Sequence, residues 1–320
     1  MSGARGMRRI GMRIIPALVL LVIGSVVLAA CGGEESNAPG KLNVVTTTTI
    51  IADMARNVGG EHVDVQSIVP ANADPHSYEP TPREMRFVAN ADVVIEHGLD
   101  LDAWVSDMID ASETNAPVTI VTDGITPLAA AEHDHEDEAN HDHGHNDPHV
   151  WFDVANAKIM VANIRDALIA ADPDNRAAYE ANADTYLAEL DDLDGWIREQ
   201  IATIPEDQRK IVTNHDAFGY YVHAYGLTLI GTIIPSLDSQ SQPSARDTAA
   251  LIDAIKESGV KAIFTEAALN PALANQIANN AGVSVVSDLY GDSLGPDGSG
   301  ADTYIGMMRT DTTRIVEALR

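Results

Sequence analysis

The chain alternates short apolar runs with longer amphipathic segments over most of its length after residue 40. The short runs are rich in Val and Ile, which favour buried strands, and the longer segments carry apolar residues at helical spacing. Because the two kinds of segment alternate, the pattern predicts parallel sheets covered by helices on both faces. Strands are predicted at 42–46, 63–69, 93–96, 118–122, 211–213, 227–233, 262–265 and 283–286, and helices at 50–58, 82–89, 101–111, 217–224, 245–257, 271–280 and 303–319.

A long helical pattern separates the two alternating halves. Residues 156–171 form one predicted helix, and a second runs from 175 to about 204, where Pro205 ends it. At 1.5 Å per residue the second helix would be roughly 45 Å long, enough to span two lobes. The predicted fold class is therefore α/β, with two lobes that have parallel-type sheets and a core each, joined by a long rigid backbone helix. The predicted boundaries are 41–173 for the N-terminal lobe, 174–205 for the linking helix and 206–320 for the C-terminal lobe.

The N-terminus has the features of a lipoprotein signal peptide. Four arginines precede an apolar run at 14–27, which is shorter than the roughly 20 residues of a transmembrane helix. The run ends in Leu28-Ala29-Ala30-Cys31, a lipobox whose cysteine is lipidated and becomes the mature N-terminus. The sequence thus predicts a signal peptide at 1–30, a lipid anchor on Cys31 and a flexible tether at 31–40. The alternative is a short signal anchor with an ordinary buried cysteine.

Composition narrows the function classes. The single cysteine, Cys31, excludes a disulfide within the chain and a cysteine-based metal site. The 48 acidic residues outnumber the 20 Lys and Arg, which gives a net charge of −28 at pH 7. Such a surface repels nucleic acid and anionic lipid headgroups, and it attracts cations at long range. Solubility alone is sufficient to explain the acidity, so the charge does not by itself predict a metal site.

Three histidines lie where predicted strands give way to loops. His76 and His149 each follow the dipeptide Asp-Pro, and His215 lies in the run Thr-Asn-His-Asp. Proline fixes φ and stiffens the loop that presents the imidazole. Ligands in open α/β sheets bind at the carboxyl ends of strands, where these side chains are expected. A lone histidine is usually an ordinary surface or core residue, but three in matching contexts favour a metal site.

Asp292, just after the last predicted strand, is the fourth candidate ligand. It would complete a site of three His and one Asp, with two ligands from each half of the chain. Neutral imidazoles suit zinc, and one carboxylate partly neutralises the dication. Asp288 is a competing choice, but it is better explained as a turn residue at the end of a strand. The remaining histidines of the predicted lobes are expected at the surface or around the site: His62, His97 and His223.

The sequence resembles the metal-binding solute-binding lipoproteins of zinc and manganese ABC importers over essentially the whole mature chain. The resemblance rests on the lipobox and on the runs Asp-Pro-His-Ser-Tyr-Glu-Pro-Thr-Pro at 74–82, Asp-Pro-His-Val-Trp-Phe-Asp at 147–153, Thr-Asn-His-Asp-Ala-Phe-Gly-Tyr at 213–220, Phe-Thr-Glu at 264–266 with Asn-Pro at 270–271, and Leu-Tyr-Gly-Asp-Ser-Leu-Gly at 289–295. It implies a metal site in the cleft between the lobes. The ligands that it implies are His76, His149, His215 and Asp292.

The same resemblance bears on the metal and on a neighbouring residue. Manganese-type members usually have Glu where His215 stands, so the resemblance favours zinc. Glu266 is expected to support the site or to make an interlobe hydrogen bond, and not to serve as a ligand or a general base.

A low-complexity insert at 132–147 is rich in His, Asp and Glu. Its histidines are His133, His135, His141, His143 and His145. Zinc-type members of the family often carry such a loop at this place. Neutral histidines on a flexible chain would form weak, exchangeable zinc sites without a fixed geometry, and the alternative is an acidic linker with no metal role.

The sequence therefore predicts an extracytoplasmic receptor that captures Zn²⁺ and delivers it to the permease of an ABC importer. It is expected to be a monomer that is lipid-anchored to the outer face of the cytoplasmic membrane; a metallochaperone is a further candidate partner and cell adhesion a candidate additional role. One alternative is a manganese or iron receptor of the same architecture. The other is a zinc metallohydrolase, which would need an open coordination position that four protein ligands fill. We therefore predict that the chain is not an enzyme.

Overall fold

The computed structural model describes residues 40–129, 146–237 and 239–320, which contain two four-stranded sheets. The strands of the first sheet are β1 (Leu42–Thr46), β2 (Val63–Ser67), β3 (Val93–Glu96) and β4 (Val118–Ile120), in the spatial order β2-β1-β3-β4. Those of the second are β5 (Lys210–Thr213), β6 (Thr228–Thr232), β7 (Ala262–Glu266) and β8 (Ser284–Leu289), in the order β6-β5-β7-β8. All the strand pairs are parallel, which confirms the predicted fold class.

The helices connect and cover these strands. They are α1 (Thr49–Gly59), α2 (Pro82–Ala89), α3 (Trp104–Ser112), α4 (Val154–Ala171), α5 (Arg176–Ala202), α6 (Gly219–Tyr225), α7 (Ala245–Ser258), α8 (Ala272–Ala281) and α9 (Tyr304–Leu319). Thr81 and Ser244 precede α2 and α7 and cap them with capping boxes. In each box the side chain of the cap residue accepts from the backbone N–H of the third helical residue, whose carboxylate accepts from the backbone N–H of the cap residue. Within the described part of the chain, none of the helices combines the length and apolar character needed to cross a bilayer.

Helix α3 begins later than the periodicity predicts, at Trp104 instead of residue 101. The carboxylate of Asp102 accepts hydrogen bonds from the backbone N–H groups of His97 and Gly98, at 2.6 and 3.0 Å. The chain therefore turns back on itself before the helix starts, and Leu99 takes a positive φ of 53° in that turn. Apolar spacing does not reveal such a turn, because one carboxylate determines it.

Helix α5 lies within the predicted linking segment and extends over 27 residues. We refer to the described residues before it as the N-terminal lobe and to those after it as the C-terminal lobe. It packs against α1 and α4 of the first lobe and against α6 and α9 of the second. Its apolar and aromatic side chains that recur at helical spacing are buried: Tyr179, Tyr186, Leu190, Leu193, Ile197 and Ile201.

The expectation of a separate core in each lobe was wrong. The largest cluster of buried apolar side chains is continuous from β1 of the N-terminal lobe, through α5, to α9 of the C-terminal lobe. Two smaller clusters, one per lobe, lie apart from it. The reason is α5 itself, because its buried side chains contact both lobes and join their cores.

Candidate metal centre

Four side chains converge between the two sheets: His76, His149, His215 and Asp292. The Nε2 atom of His149 lies 3.3 Å from that of His76 and 3.4 Å from that of His215. Asp292 places Oδ1 3.4 Å from His149 Nε2, and Oδ2 3.6 and 3.4 Å from the Nε2 atoms of His76 and His215. One potential ligand atom from each residue lies within 4.8 Å of all the others, so the group could hold a metal ion.

His76 stands on a single helical turn, Pro75–Ser77, in the loop after β2. Asp74 begins this turn, because its Oδ1 accepts a hydrogen bond of 2.9 Å from the His76 backbone N–H. On the other side, the indole N–H of Trp104 donates to the carbonyl of Pro75 at 2.9 Å. Two contacts from its own lobe thus fix the loop that presents this imidazole.

His149 is held by the loop that precedes it. Asp147 Oδ1 accepts from both the backbone N–H and the ring Nδ1 of His149, at 2.9 and 2.7 Å. The Nε2 of His97 lies 2.7 Å from the carbonyl of Pro148, to which it donates. Because the Nδ1–H of His149 donates to Asp147, the Nε2 of the same ring carries the lone pair, and it faces the cluster.

His215 is the second residue after the end of β5, and Glu266, at the end of β7, orients its ring. Its Nδ1 donates to Glu266 Oε1 at 2.6 Å, which leaves Nε2 free to face the other ligand atoms. Glu266 in turn lies against the backbone of Gly291, where an added Cβ would come within 1.9 Å of Oε2. Glycine at 291 therefore allows one carboxylate to support His215 while lying directly against the Asp292 loop.

The loop that carries Asp292 is tied down from two directions. The backbone N–H of Tyr290 donates to the buried carboxylate of Asp311 on α9, at 3.1 Å. The indole N–H of Trp151 donates to the carbonyl of Gly291 at 3.1 Å, which joins the His149 loop to the Asp292 loop. Two of the four clustered residues are thus linked through a buried interlobe hydrogen bond.

Burial and mutual charge shift the protonation of the cluster. Burial lowers the pKa of His149 well below its ordinary value, and the neighbouring His215 lowers it further. Burial also disfavours the charged form of His215, but the carboxylates of Glu266 and Asp292 outweigh it and raise the pKa of His215 to about 10. Desolvation raises the pKa of Asp292 to about 7. A dication at this position would replace the protons that these groups otherwise share.

The structure places the other predicted residues as follows. Asp288 lies in β8 with a φ of 72°, exposed and outside the cluster. His62 contacts the edge of the Tyr179 ring on α5. The predicted lipidation site Cys31 and the five insert histidines lie outside the described residues: His133, His135, His141, His143 and His145.

Three residues that support the site were not identified from the sequence. They are Asp147, Asp311 and Trp151, the last of which acts as a hydrogen-bond donor. Asp147 lies in the same Asp-Pro-His run as His149, so its proximity along the chain was a usable signal. Asp311 gives no such signal, since it contacts Tyr290 only because α9 packs beside β8. His97 was expected at the surface or around the site, and it is fully buried against Pro148.

Known proteins resemble this chain over most of its length. Residues 44–318 match the family described as zinc-uptake complex component A, periplasmic (ZnuA). The chain is 35% identical over 306 residues to the manganese-binding lipoprotein MntA of Halalkalibacterium halodurans, covering 95% of this chain and 97% of that relative.

Two solved structures share the architecture. A Mn-bound periplasmic metal binding protein from Candidatus Liberibacter asiaticus superposes with a TM-score of 0.77 at 28% identity, covering 88% of this chain and 100% of that one. The periplasmic zinc binding protein TroA from Treponema pallidum gives a TM-score of 0.77 at 27% identity, covering 88% of this chain and 99% of that one. The family match spans nearly all of the described residues, so this chain belongs to the periplasmic zinc-uptake complex component A family.

Proposed function

We propose that this protein captures Zn²⁺ outside the cytoplasm, with His76, His149, His215 and Asp292 as its ligands. The observation that supports zinc is the spacing of the ligand atoms: His149 Nε2 lies 3.3 and 3.4 Å from the other two Nε2 atoms, and one or the other oxygen of Asp292 lies 3.4–3.6 Å from each Nε2. A tetrahedron whose bonds measure about 2.0–2.2 Å, the range of zinc with nitrogen and oxygen ligands, has edges of about 3.3–3.6 Å. These five separations fall within the range expected for a four-coordinate zinc ion, which supports the assignment.

The hydrogen bonds behind the ligands support the same assignment. Asp147 and Glu266 each accept from the Nδ1 of a histidine, which directs the Nε2 lone pair of that ring to the centre. A carboxylate in this position fixes the tautomer and raises the basicity of the imidazole. Because four protein ligands leave no open position for a catalytic water, the arrangement favours binding and release over hydrolysis.

Manganese is the second candidate, and the structure and a relative each give one reason for it. Both oxygens of Asp292 face the cluster, so this carboxylate can bind through two oxygens and supply a fifth donor. Manganese prefers oxygen donors and higher coordination numbers. The 35% identical relative is named a manganese-binding lipoprotein, which agrees with that option.

Competitive binding distinguishes the two metals. Affinity rises from manganese to zinc along the Irving–Williams order, so the wild type should prefer zinc strongly. His215→Glu should weaken zinc binding and narrow that preference, while His215→Ala should weaken zinc without a gain for manganese. Asp292→Ala should cost less affinity than loss of a histidine, because water can take the vacated position. Equal affinity of the wild type for the two metals, or unchanged zinc affinity in His215→Ala, would contradict the zinc assignment.

The biological role that we propose is delivery of the metal to the permease of an ABC importer. Relatives named manganese ABC transporter substrate-binding lipoproteins, such as PsaA of Streptococcus pneumoniae at 29% identity over 316 residues, support this role. In this proposal the protein is a monomeric receptor and not an enzyme, held at the outer face of the cytoplasmic membrane by lipid on Cys31. Growth under zinc limitation, with and without the gene, tests the role in uptake.

A further inference from the structure

Several of the hydrogen bonds that join the lobes beside the cluster are deeply buried. Trp151 donates to Gly291, and the Tyr304 hydroxyl donates to the carbonyl of Trp151 at 2.7 Å. The backbone N–H of Tyr304 also donates to the carboxylate of Asp53 on α1, at 2.9 Å. All of these groups lie in the continuous core or against it, so separating the lobes here would expose apolar surface and unpaired polar atoms.

One interlobe contact is of a different kind, and it lies beside His76. The carboxylate of Asp74 accepts hydrogen bonds from both lobes. Oδ1 accepts from the His76 backbone N–H, whereas Oδ2 accepts from the Ser77 hydroxyl of the same turn at 3.0 Å and, from the other lobe, from the Ser239 hydroxyl at 2.5 Å and the Gln240 side-chain amide at 2.8 Å. Ser239 and Gln240 belong to the irregular segment between β6 and α7. We call this three-residue contact the interlobe latch.

The latch lies at the most accessible side of the cluster. The side chain of His76 is 9% exposed, whereas those of His149 and His215 are fully buried. A pocket between the lobes also reaches the cluster on this side. Its lining includes Asn72 and Asp74 from the N-terminal lobe, and Glu266, Tyr290 and Asp292 from the C-terminal lobe.

We propose that the interlobe latch of Asp74, Ser239 and Gln240 sets the rate at which the metal exchanges, by closing the route between His76 and solvent. The latch consists of hydrogen bonds between polar side chains, so it can open while the buried interface around Trp151 stays intact. This inference rests on the proposed function, because it assumes that the cluster binds a metal.

Asp74 both supports the turn that carries His76 and contacts the other lobe. Asp74 Oδ1 positions His76, and only Oδ2 reaches across to the other lobe. Substitutions at Ser239 and Gln240 therefore remove the contact across the cleft and leave the support of His76 in place. Because an open latch lowers the barrier in both directions, it should speed binding and release together and leave the equilibrium constant nearly unchanged.

The test measures zinc exchange on the purified full chain. Ser239→Ala and the double variant Ser239→Ala with Gln240→Ala are compared with wild type by stopped-flow transfer of zinc to a chelator, and by the reverse binding reaction. Loss of hydrogen bonds to a charged acceptor should accelerate both rates about tenfold, with a change in Kd of less than about threefold. Ser241→Ala is the matched control, since Ser241 lies in the same segment and donates to Ser236 within its own lobe.

Each result has one meaning. Wild-type exchange rates in the double variant would overturn the proposal, and so would a weaker Kd caused by faster release at an unchanged rate of binding. If the double variant fails to fold, Asp74→Asn keeps the acceptor for the His76 backbone, removes the charge from the latch, and should show the same acceleration. Absence of tight zinc binding in the wild type would instead refute the proposed function itself.

Discussion

At the scale of single residues, Asp147 and Glu266 support two of the proposed ligands in the same way. Each accepts a short hydrogen bond from the Nδ1 of a buried histidine, at 2.7 and 2.6 Å. Loss of such a partner typically costs about 10- to 100-fold in metal affinity. We expect losses of this size in Asp147→Ala and Glu266→Ala, measured by zinc competition with a chelator. Glu257→Ala, an exposed change on α7, is the control; full zinc affinity in both test variants would contradict the supporting role.

Protonation of His215 makes zinc binding depend on pH. The pKa of His215 is raised to about 10 by Glu266 and Asp292 despite burial, so at neutral pH the metal-free site holds a proton that zinc must displace. The apparent affinity should therefore rise about tenfold per pH unit between roughly pH 7 and 9. It should fall more steeply below pH 7, because Asp292, with its pKa raised to about 7 by burial, also becomes protonated.

Calorimetry in buffers of different ionisation enthalpy counts the released protons. At pH 8 we expect about one proton per zinc in the wild type. Glu266→Gln should release less, because it removes the charge that holds the proton on His215 and keeps a hydrogen-bond acceptor. Equal proton release in the two proteins would show that Glu266 does not control this titration.

The proposed ligands could be predicted from sequence because each lies in a short run with its own local signal. Asp-Pro precedes two of the histidines, and Asp292 follows the last strand. The interlobe latch could not be predicted in this way. Asp74 and Ser239 are 165 positions apart, and nothing in either local run indicates the other. Such contacts depend on how the lobes pack, which apolar spacing does not encode.

At the scale of elements, the His-rich insert is closed at its base. Ala129 and Asn146 pair in an isolated antiparallel bridge, and the backbone N–H of Asp147 donates to the carbonyl of Leu128 at 2.9 Å. Removal of residues 132–145 would leave residues 130 and 131 as a two-residue connection across the bridge, a length that suits a tight turn.

We therefore expect this deletion to leave the tight zinc site intact and to remove additional weak zinc binding. Equilibrium titration gives both quantities, the affinity of the first zinc and the total stoichiometry. A variant that keeps the insert length but replaces the five insert histidines with Asn is the control: it should also lose only the weak sites. Loss of the tight site in either variant would mean that the insert contributes to the main centre.

The observed helices and strands agree closely with those predicted from the sequence. They differ where a specific polar contact determines the first or last residue of an element. The type and order of all the predicted strands and helices are those of the structure. Strand β8 extends to Leu289, beyond the predicted end at 286, and contains Asp288 at positive φ. The Arg314 side chain bonds the Asp288 carbonyl, and this contact from α9 accompanies the irregular end of the strand.

At the scale of the whole molecule, α5 limits how the lobes can move. Its buried side chains belong to one core that includes both lobes, so wide opening would separate packed apolar surfaces. We expect small-angle scattering of the full chain to give the same radius of gyration with and without zinc. A clear decrease on zinc addition would indicate closure of the lobes, and exchange would not then be limited to the region of the interlobe latch.

The proposed anchor can be tested separately from the metal site. Cys31→Ala should abolish lipidation and release the protein into the soluble extracytoplasmic fraction, with zinc affinity unchanged because Cys31 precedes the first strand and is not one of the proposed ligands. Fractionation and mass spectrometry of the N-terminus provide the measurement, with Ser36→Ala in the predicted tether as the control. A Cys31→Ala variant that stays in the membrane through an uncleaved helix would contradict the lipoprotein assignment.

The continuous core also has a consequence for biogenesis. Met307, Met308, Ile315 and Leu319 of the last helix are buried in the same cluster as Val44 of the first strand. As the chain is made, the apolar face of the early strands and of α5 therefore has no complete cover until the C-terminus has emerged. If the chain is exported N-terminus first, it cannot finish folding one lobe at a time during translocation. Its final collapse has to wait for the last turn of α9, and until then a holding chaperone would have apolar surface to bind.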